Sequence, residues 1–187
     1  SACLVGSEMC IRDRDNTKGR IFAYDFQGNM LYAFGGHGYK AGLFMNPSAI
    51  EDLGDSLLVT DQKLGTITQF TLTDYGKMIN DGLAEYKKGN YDESANIWRK
   101  VLKHNGNYDQ AYIGIGRALL REKNYKEAMD YFELKLDAKN YSKAFKLYRE
   151  VWFEENIGTI LIIIAILILL GFGVGFVKKA RREVEKG

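Results

Sequence analysis

Cysteine, histidine and proline are scarce in this chain, and each scarcity removes a class of chemistry. The two cysteines, Cys3 and Cys10, lie within the first ten residues. The rest of the 187 residues therefore has no disulfide framework and no thiol nucleophile. Two histidines, His37 and His104, are too few for a zinc site of the usual ligand types, and no cofactor is expected. Charged residues are plentiful and the single proline is Pro47, which is not the composition of a disordered chain. Basic residues are not in excess where a fold is expected. Residues 15–156 carry 19 Lys/Arg against 20 Asp/Glu, whereas residues 178–187 carry 5 Lys/Arg against 2 Glu. Nucleic-acid binding needs a concentrated basic face, so it is excluded as a role of residues 15–156.

What is present divides into five segments. Residues 1–14 lack the basic start and long apolar run of a signal peptide. They resemble the translated read-through of a sequencing adaptor, or else form a disordered tail. The fold is expected to start near Asp15, and the true N-terminus to lie beyond this sequence.

Residues 157–177 contain no charge: eleven are Ile or Leu, and four are Phe or Val. At 1.5 Å per residue such a helix spans roughly 30 Å, the thickness of a hydrocarbon core. Its large apolar side chains favour insertion by roughly 5–9 kcal/mol, which outweighs four glycines and one threonine. One transmembrane helix is expected here. Glu154 and Glu155 precede it, and Lys178, Lys179, Arg181 and Arg182 follow it. The positive-inside rule then puts residues 178–187 in the cytoplasm as a basic tail and the N-terminal part outside it. Trp152 and Phe153 stand where an interfacial aromatic belt belongs, with the four basic residues at the other interface. The expected location is a cell membrane, crossed once.

Residues 76–156 are rich in Lys, Glu, Ala and Tyr, with apolar residues at helical spacing. Gly82 and Gly116 lie 34 positions apart, as do Tyr91 and Tyr125, and Trp98 and Phe132. Lys88-Gly89-Asn90-Tyr91-Asp92-Glu93-Ser94 matches Glu122-Lys123-Asn124-Tyr125-Lys126-Glu127-Ala128. This resembles the tetratricopeptide (TPR) repeat, a helix–turn–helix of that period. Small Gly82, Gly116, Ser94 and Ala128 permit close helix crossing, and Trp98 and Phe132 are expected to fill the space between repeats. Glu85 replaces the usual aromatic, and Lys135 the usual alanine. A third unit starts at Tyr141-Ser142-Lys143-Ala144-Phe145 and runs into the apolar segment. The resemblance implies a groove lined by first helices that binds a protein or peptide partner. It would present Ile79, Leu83, Tyr86 and Lys87, then Ile113, Arg117, Leu120 and Arg121. Arg117 and Arg121 lie one helical turn apart and could hold an acidic group.

Residues 15–73 read as strands and turns. Arg20-Ile21-Phe22-Ala23-Tyr24-Asp25, Gln27-Gly28, Phe34-Gly35, Pro47-Ser48-Ala49-Ile50, Val59-Thr60-Asp61 and Ile67-Thr68-Gln69-Phe70 follow in order. Their order resembles the NHL family of β-propeller blades, although Lys63-Leu64-Gly65 replaces the family's polar turn. One to two blades cannot close, because propellers need about 4–8. Further blades are therefore expected N-terminally, with apolar sheet edges uncovered in this segment. The fold class is α+β: partial antiparallel blades, a TPR-like hairpin array, then one transmembrane helix. The whole is similar to envelope proteins of Gram-positive bacteria.

Catalytic signals are weak. Gly36-His37-Gly38-Tyr39-Lys40-Ala41 has the letters of a dinucleotide loop, but no βαβ context follows. Glu51, Asp52 and Asp61 are the only carboxylates that suit a lactonase-type metal site, and neither a metal site nor a catalytic residue is assigned. The expected function is a membrane-anchored, extracytoplasmic binding or scaffold protein, not an enzyme. Its partners are the lipid bilayer and a protein or peptide, with no nucleic acid. The alternative is a membrane-anchored propeller enzyme of the lactonase type.

Overall fold

In the computed structural model of the chain, residues 11–53 and 56–184 are described, with side chains as far as Gly173 and at Gly175. Six strands precede five helices among them. The strands are β1 (Ile11–Asp15), β2 (Arg20–Tyr24), β3 (Met30–Gly35), β4 (Pro47–Leu53), β5 (Ser56–Asp61) and β6 (Thr66–Thr71). The helices are α1 (Asp74–Lys88), α2 (Tyr91–His104), α3 (Asp109–Arg121), α4 (Tyr125–Leu134) and α5 (Ala138–Val184). The chain divides into two compact units, Ser1–Ala144 and Phe145–Gly187.

The strands form two antiparallel three-stranded sheets, β1-β2-β3 and β4-β5-β6. Ile11–Arg14 belong to β1 and pair with β2, so the strand begins ahead of the boundary expected at Asp15. The N–H and C=O groups along that edge of β2 need ladder partners, and Ile11–Asp15 supply them. The hairpins β1–β2 and β5–β6 share one design. Asp15 and Asp61, 46 positions apart, each accept two backbone N–H groups of the turn that follows them. Gly19 (φ 62°) and Gly65 (φ 64°) close these turns in the left-handed region, where glycine has no steric cost.

Asp61 does more than shape its own turn. Its second oxygen accepts from the N–H groups of Met45 (2.6 Å) and Asn46 (3.0 Å), which ties the chain entering β4 to the end of β5. Burial pushes its carboxyl up, but the four backbone donors outweigh that and hold it below the ordinary carboxylate range. The lone pairs that a metal would need are therefore committed to backbone. Asp52 is ion-paired with Arg12, and Glu51 is exposed.

Ile21, Phe44, Ile50, Leu57 and Val59 form one buried cluster, with Phe34 and Phe70 packed against it. It draws on both sheets and on Phe44 from the intervening loop. The two sheets thus share one core, completed by Phe44, which the loop 36–46 folds inward. Leu53 and Ile67 remain exposed.

The helices α1–α2 and α3–α4 are two hairpins with the expected period. Thr73 caps α1, accepting from the Gly76 N–H. A β-carbon on Gly82 would stand 2.9 Å from the Trp98 ring, and one on Gly114 2.6 Å from it. Trp98, 2% exposed, is therefore gripped between α1 and α3 and joins the two repeats. Phe132 fills the matching place against Gly116. Ser94 donates to the Gly82 carbonyl at 2.7 Å, which fixes the crossing of α1 and α2. The residues that depart from the repeat pattern have local partners. Glu85 accepts from Lys88 and Asn90 across the α1–α2 turn. Lys135 pairs with Asp109 at 2.7 Å and lies over the Tyr112 ring. Gly89 ends α1 at φ 90°, and Lys123 takes the equivalent left-handed position after α3 at φ 65°.

The unit Phe145–Gly187 holds most of α5. One window of that helix has mean hydropathy 2.5, and none of it is buried. It is long and apolar enough to cross a membrane. Trp152 and Phe153 are exposed, their rings edge-to-face at 5.3 Å. The helical backbone continues through Lys178, Lys179, Arg181 and Arg182, whose side chains lie outside the described residues, as do residues 1–10.

Candidate functional site: the groove of the first helices

On α1, Leu83, Tyr86 and Lys87 sit three and four positions apart and so share a face. On α3, Arg117 and Arg121 are related in the same way. The structure brings Leu83, Tyr86, Lys87 and Arg117 around one cavity of about 200 Å³. Its other lining residues are Asp25, Phe26 and Gln27, from the turn between β2 and β3. Arg121 reaches the same region, because its Nε donates to the Tyr86 hydroxyl at 3.2 Å. Ile79 and Leu120 are buried in the helix packing and do not line the cavity. Ile113 is half-buried and also lies outside the lining.

Asp25 is the residue around which the turn is built. One carboxylate oxygen accepts from the N–H groups of Gln27 and Asn29, each at 2.8 Å. The Asn29 amide donates to both oxygens. Gly28 takes φ 81°, which lets the chain reverse. The second oxygen faces α3 and accepts from Arg117 Nη1 at 3.1 Å. Both side chains are largely shielded, Arg117 at 13% exposure and Asp25 at 6%. Burial pushes the Asp25 carboxyl up, but Asn29, Arg117 and the Gln27 N–H outweigh it and hold it below the usual range.

Arg117 is only partly used by this contact. A guanidinium has five donors in a rigid fork. Its Nε is buried and has no hydrogen-bond partner among the described residues. Beside it, Lys87 Nζ lies 5.3 Å from the centre of the exposed Phe26 ring, a cation–π distance. The cavity therefore combines two aromatic residues, Phe26 and Tyr86, the apolar Leu83, and two cationic groups of which Arg117 already meets the Asp25 carboxylate. That composition suits a ligand with a carboxylate and an apolar or aromatic side chain.

Two further contacts seat the β2–β3 hairpin on the helices. The Tyr108 hydroxyl donates to the Leu31 carbonyl at 2.8 Å, and the Tyr32 hydroxyl meets Asn80 at 3.4 Å. Gln27-Gly28-Asn29 is the hairpin break expected from sequence, while Asp25 and Phe26 join the groove without any sign in the repeat pattern. Nothing local marks them, since Arg117 is 92 positions away.

No curated protein matches the chain. The residues that build the hairpins and hold most of the groove do match a family: positions 80–143 match the tetratricopeptide repeat model.

Proposed function

We propose that this chain is a membrane-anchored binding or scaffold protein whose first-helix groove takes a protein or peptide partner. The observation that carries the reading is the convergence of Leu83, Tyr86, Lys87 and Arg117 on one cavity within a matched repeat segment. Tetratricopeptide repeats commonly mediate protein–protein interaction. In this reading the segment 157–177 is the anchor, the N-terminal unit is extracytoplasmic, and the basic tail is cytoplasmic. The two sheets are incomplete NHL-type propeller blades. Their shared turn design at Asp15 and Asp61 supports that assignment, as does the matching register Asp15↔Arg20 and Asp61↔Thr66. Binding rather than catalysis is favoured because Asp61 and Asp52 are committed to internal partners.

The test of the groove uses the detergent-solubilised full chain and peptides selected on it from a displayed library. Arg117→Gln is expected to weaken the selected peptides by about tenfold or more, the loss of one charge-assisted hydrogen bond. Lys87→Ala, at an exposed position, is expected to weaken them less. Saturable binding indifferent to both changes would place the partner surface elsewhere. For topology, protease added to sealed right-side-out vesicles should spare the Lys178–Arg182 site. Cleavage there would reverse the orientation.

A further inference from the structure

The groove of this chain already has an occupant. We infer that the β2–β3 turn holds the groove in cis, and that the partner is a segment presenting a carboxylate next to an aromatic ring, which binds by displacing Asp25 and Phe26. This rests on the reading of the groove as a partner site.

Three observations support it. First, the turn supplies the ligand chemistry that the groove suits. Asp25 offers a carboxylate to Arg117, and the adjacent Phe26 offers a ring to Lys87. The chain thus carries its own template of what the groove recognises. Second, the occupant is poorly fitted. Asp25 meets Arg117 through one nitrogen, at 3.1 Å, and not through the two-pronged fork that a guanidinium offers. Asp25 spends its other acceptor capacity on the Gln27 and Asn29 groups of its own turn. It cannot turn both oxygens to Arg117 without breaking the turn. Third, Arg117 Nε, beside this single contact, is buried and has no hydrogen-bond partner among the described residues. A carboxylate free of such internal bonds could take Nε and a terminal nitrogen together, the bidentate geometry a guanidinium favours. Phe26 is 59% exposed, so its ring covers the cavity without being packed into it. The space beside it, about 200 Å³, is where an incoming aromatic side chain would enter.

An occupied groove binds with reduced apparent affinity, because only the open fraction is competent. The probe for the test is a labelled synthetic hairpin of residues 20–35, titrated into the detergent-solubilised full chain by fluorescence anisotropy. Asp25→Asn in the chain is expected to tighten the probe by about tenfold or more, as the closed fraction falls. Phe26→Ala, at an exposed position that the fold does not need, should tighten it in the same direction and guards against an unfolded Asp25→Asn. Arg117→Gln should weaken the probe by about tenfold or more in every background. A probe with its own aspartate changed to asparagine should bind at least about tenfold more weakly. Hydrogen exchange at the Gln27 and Asn29 amides of the chain should speed up when the probe binds.

Equal affinity for the wild type and both turn variants, with unchanged exchange at these amides, would overturn the cis occupancy. Equal binding of the asparagine probe would overturn the assigned chemistry. If the hairpin fails everywhere while library-selected peptides still bind through Arg117, this inference falls and the groove reading stands. If no peptide binds through Arg117, both fall.

Discussion

Trp98→Ala should destabilise the N-terminal unit by about 3–5 kcal/mol, the range for removing a buried large aromatic side chain. The indole is 2% exposed and stands against two glycines from different helices. Neither Gly82 nor Gly114 can extend a side chain into the vacated space, so the cavity cannot be refilled locally. The loss should therefore lie toward the upper part of that range. It should also uncouple the repeats, because the same ring touches α1 in one hairpin and α3 in the next. Urea unfolding of the full chain in detergent, followed by far-ultraviolet circular dichroism, measures it. A loss under about 1 kcal/mol would mean that the ring is not enclosed between the helices. The reverse experiment, Gly114→Ala, adds a methyl 2.6 Å from the same ring and is expected to destabilise despite alanine's better helix propensity.

The second large effect is expected at Arg117. Removing one partner of a buried ion pair leaves the other charge uncompensated, which costs about 3–5 kcal/mol when nothing else supports it. Asp25 keeps its donors from Gln27 and Asn29, so about 2–3 kcal/mol is expected for Arg117→Gln. The effect has a defined pH window. The folded Asp25 carboxyl lies below its ordinary value, so its contribution is complete above the unfolded pKa of about 3.9. The contribution is lost as pH falls from there through the folded value. The difference between wild type and Arg117→Gln should therefore shrink on acidification.

The helical part of the fold was legible because its determinants are local and periodic. Gly82, Gly116, Trp98 and Phe132 recur at one spacing, and each does in the fold what its size suggests. The turns at Gly28 and Gly65 were legible for the same reason, as glycine marks a backbone state. The left-handed turn at Lys123 carries no glycine to mark it; only its alignment with Gly89, 34 positions earlier, points to the same local helix end, where Asn124 N–H donates to the Leu119 carbonyl as Asn90 N–H does to Glu85. Asp61 carries no local mark of its reach to Met45 and Asn46. The site was half legible. Leu83, Tyr86, Lys87 and Arg117 followed from the repeat pattern. Asp25 and Phe26 did not, since a contact between a hairpin turn and a distant helix leaves no period in sequence. Ile79 and Leu120 are buried away from the cavity, since helical spacing alone does not separate a groove face from the adjacent packed face.

The β2–β3 turn meets the groove through Asp25 and Arg117. A double-mutant cycle on the full chain, with Asp25→Asn, Arg117→Gln and both together, tests it most directly. The structure predicts a coupling of about 1.5–3 kcal/mol at neutral pH, fading below about pH 4. Additive effects, with a coupling under about 0.3 kcal/mol at neutral pH, would contradict it.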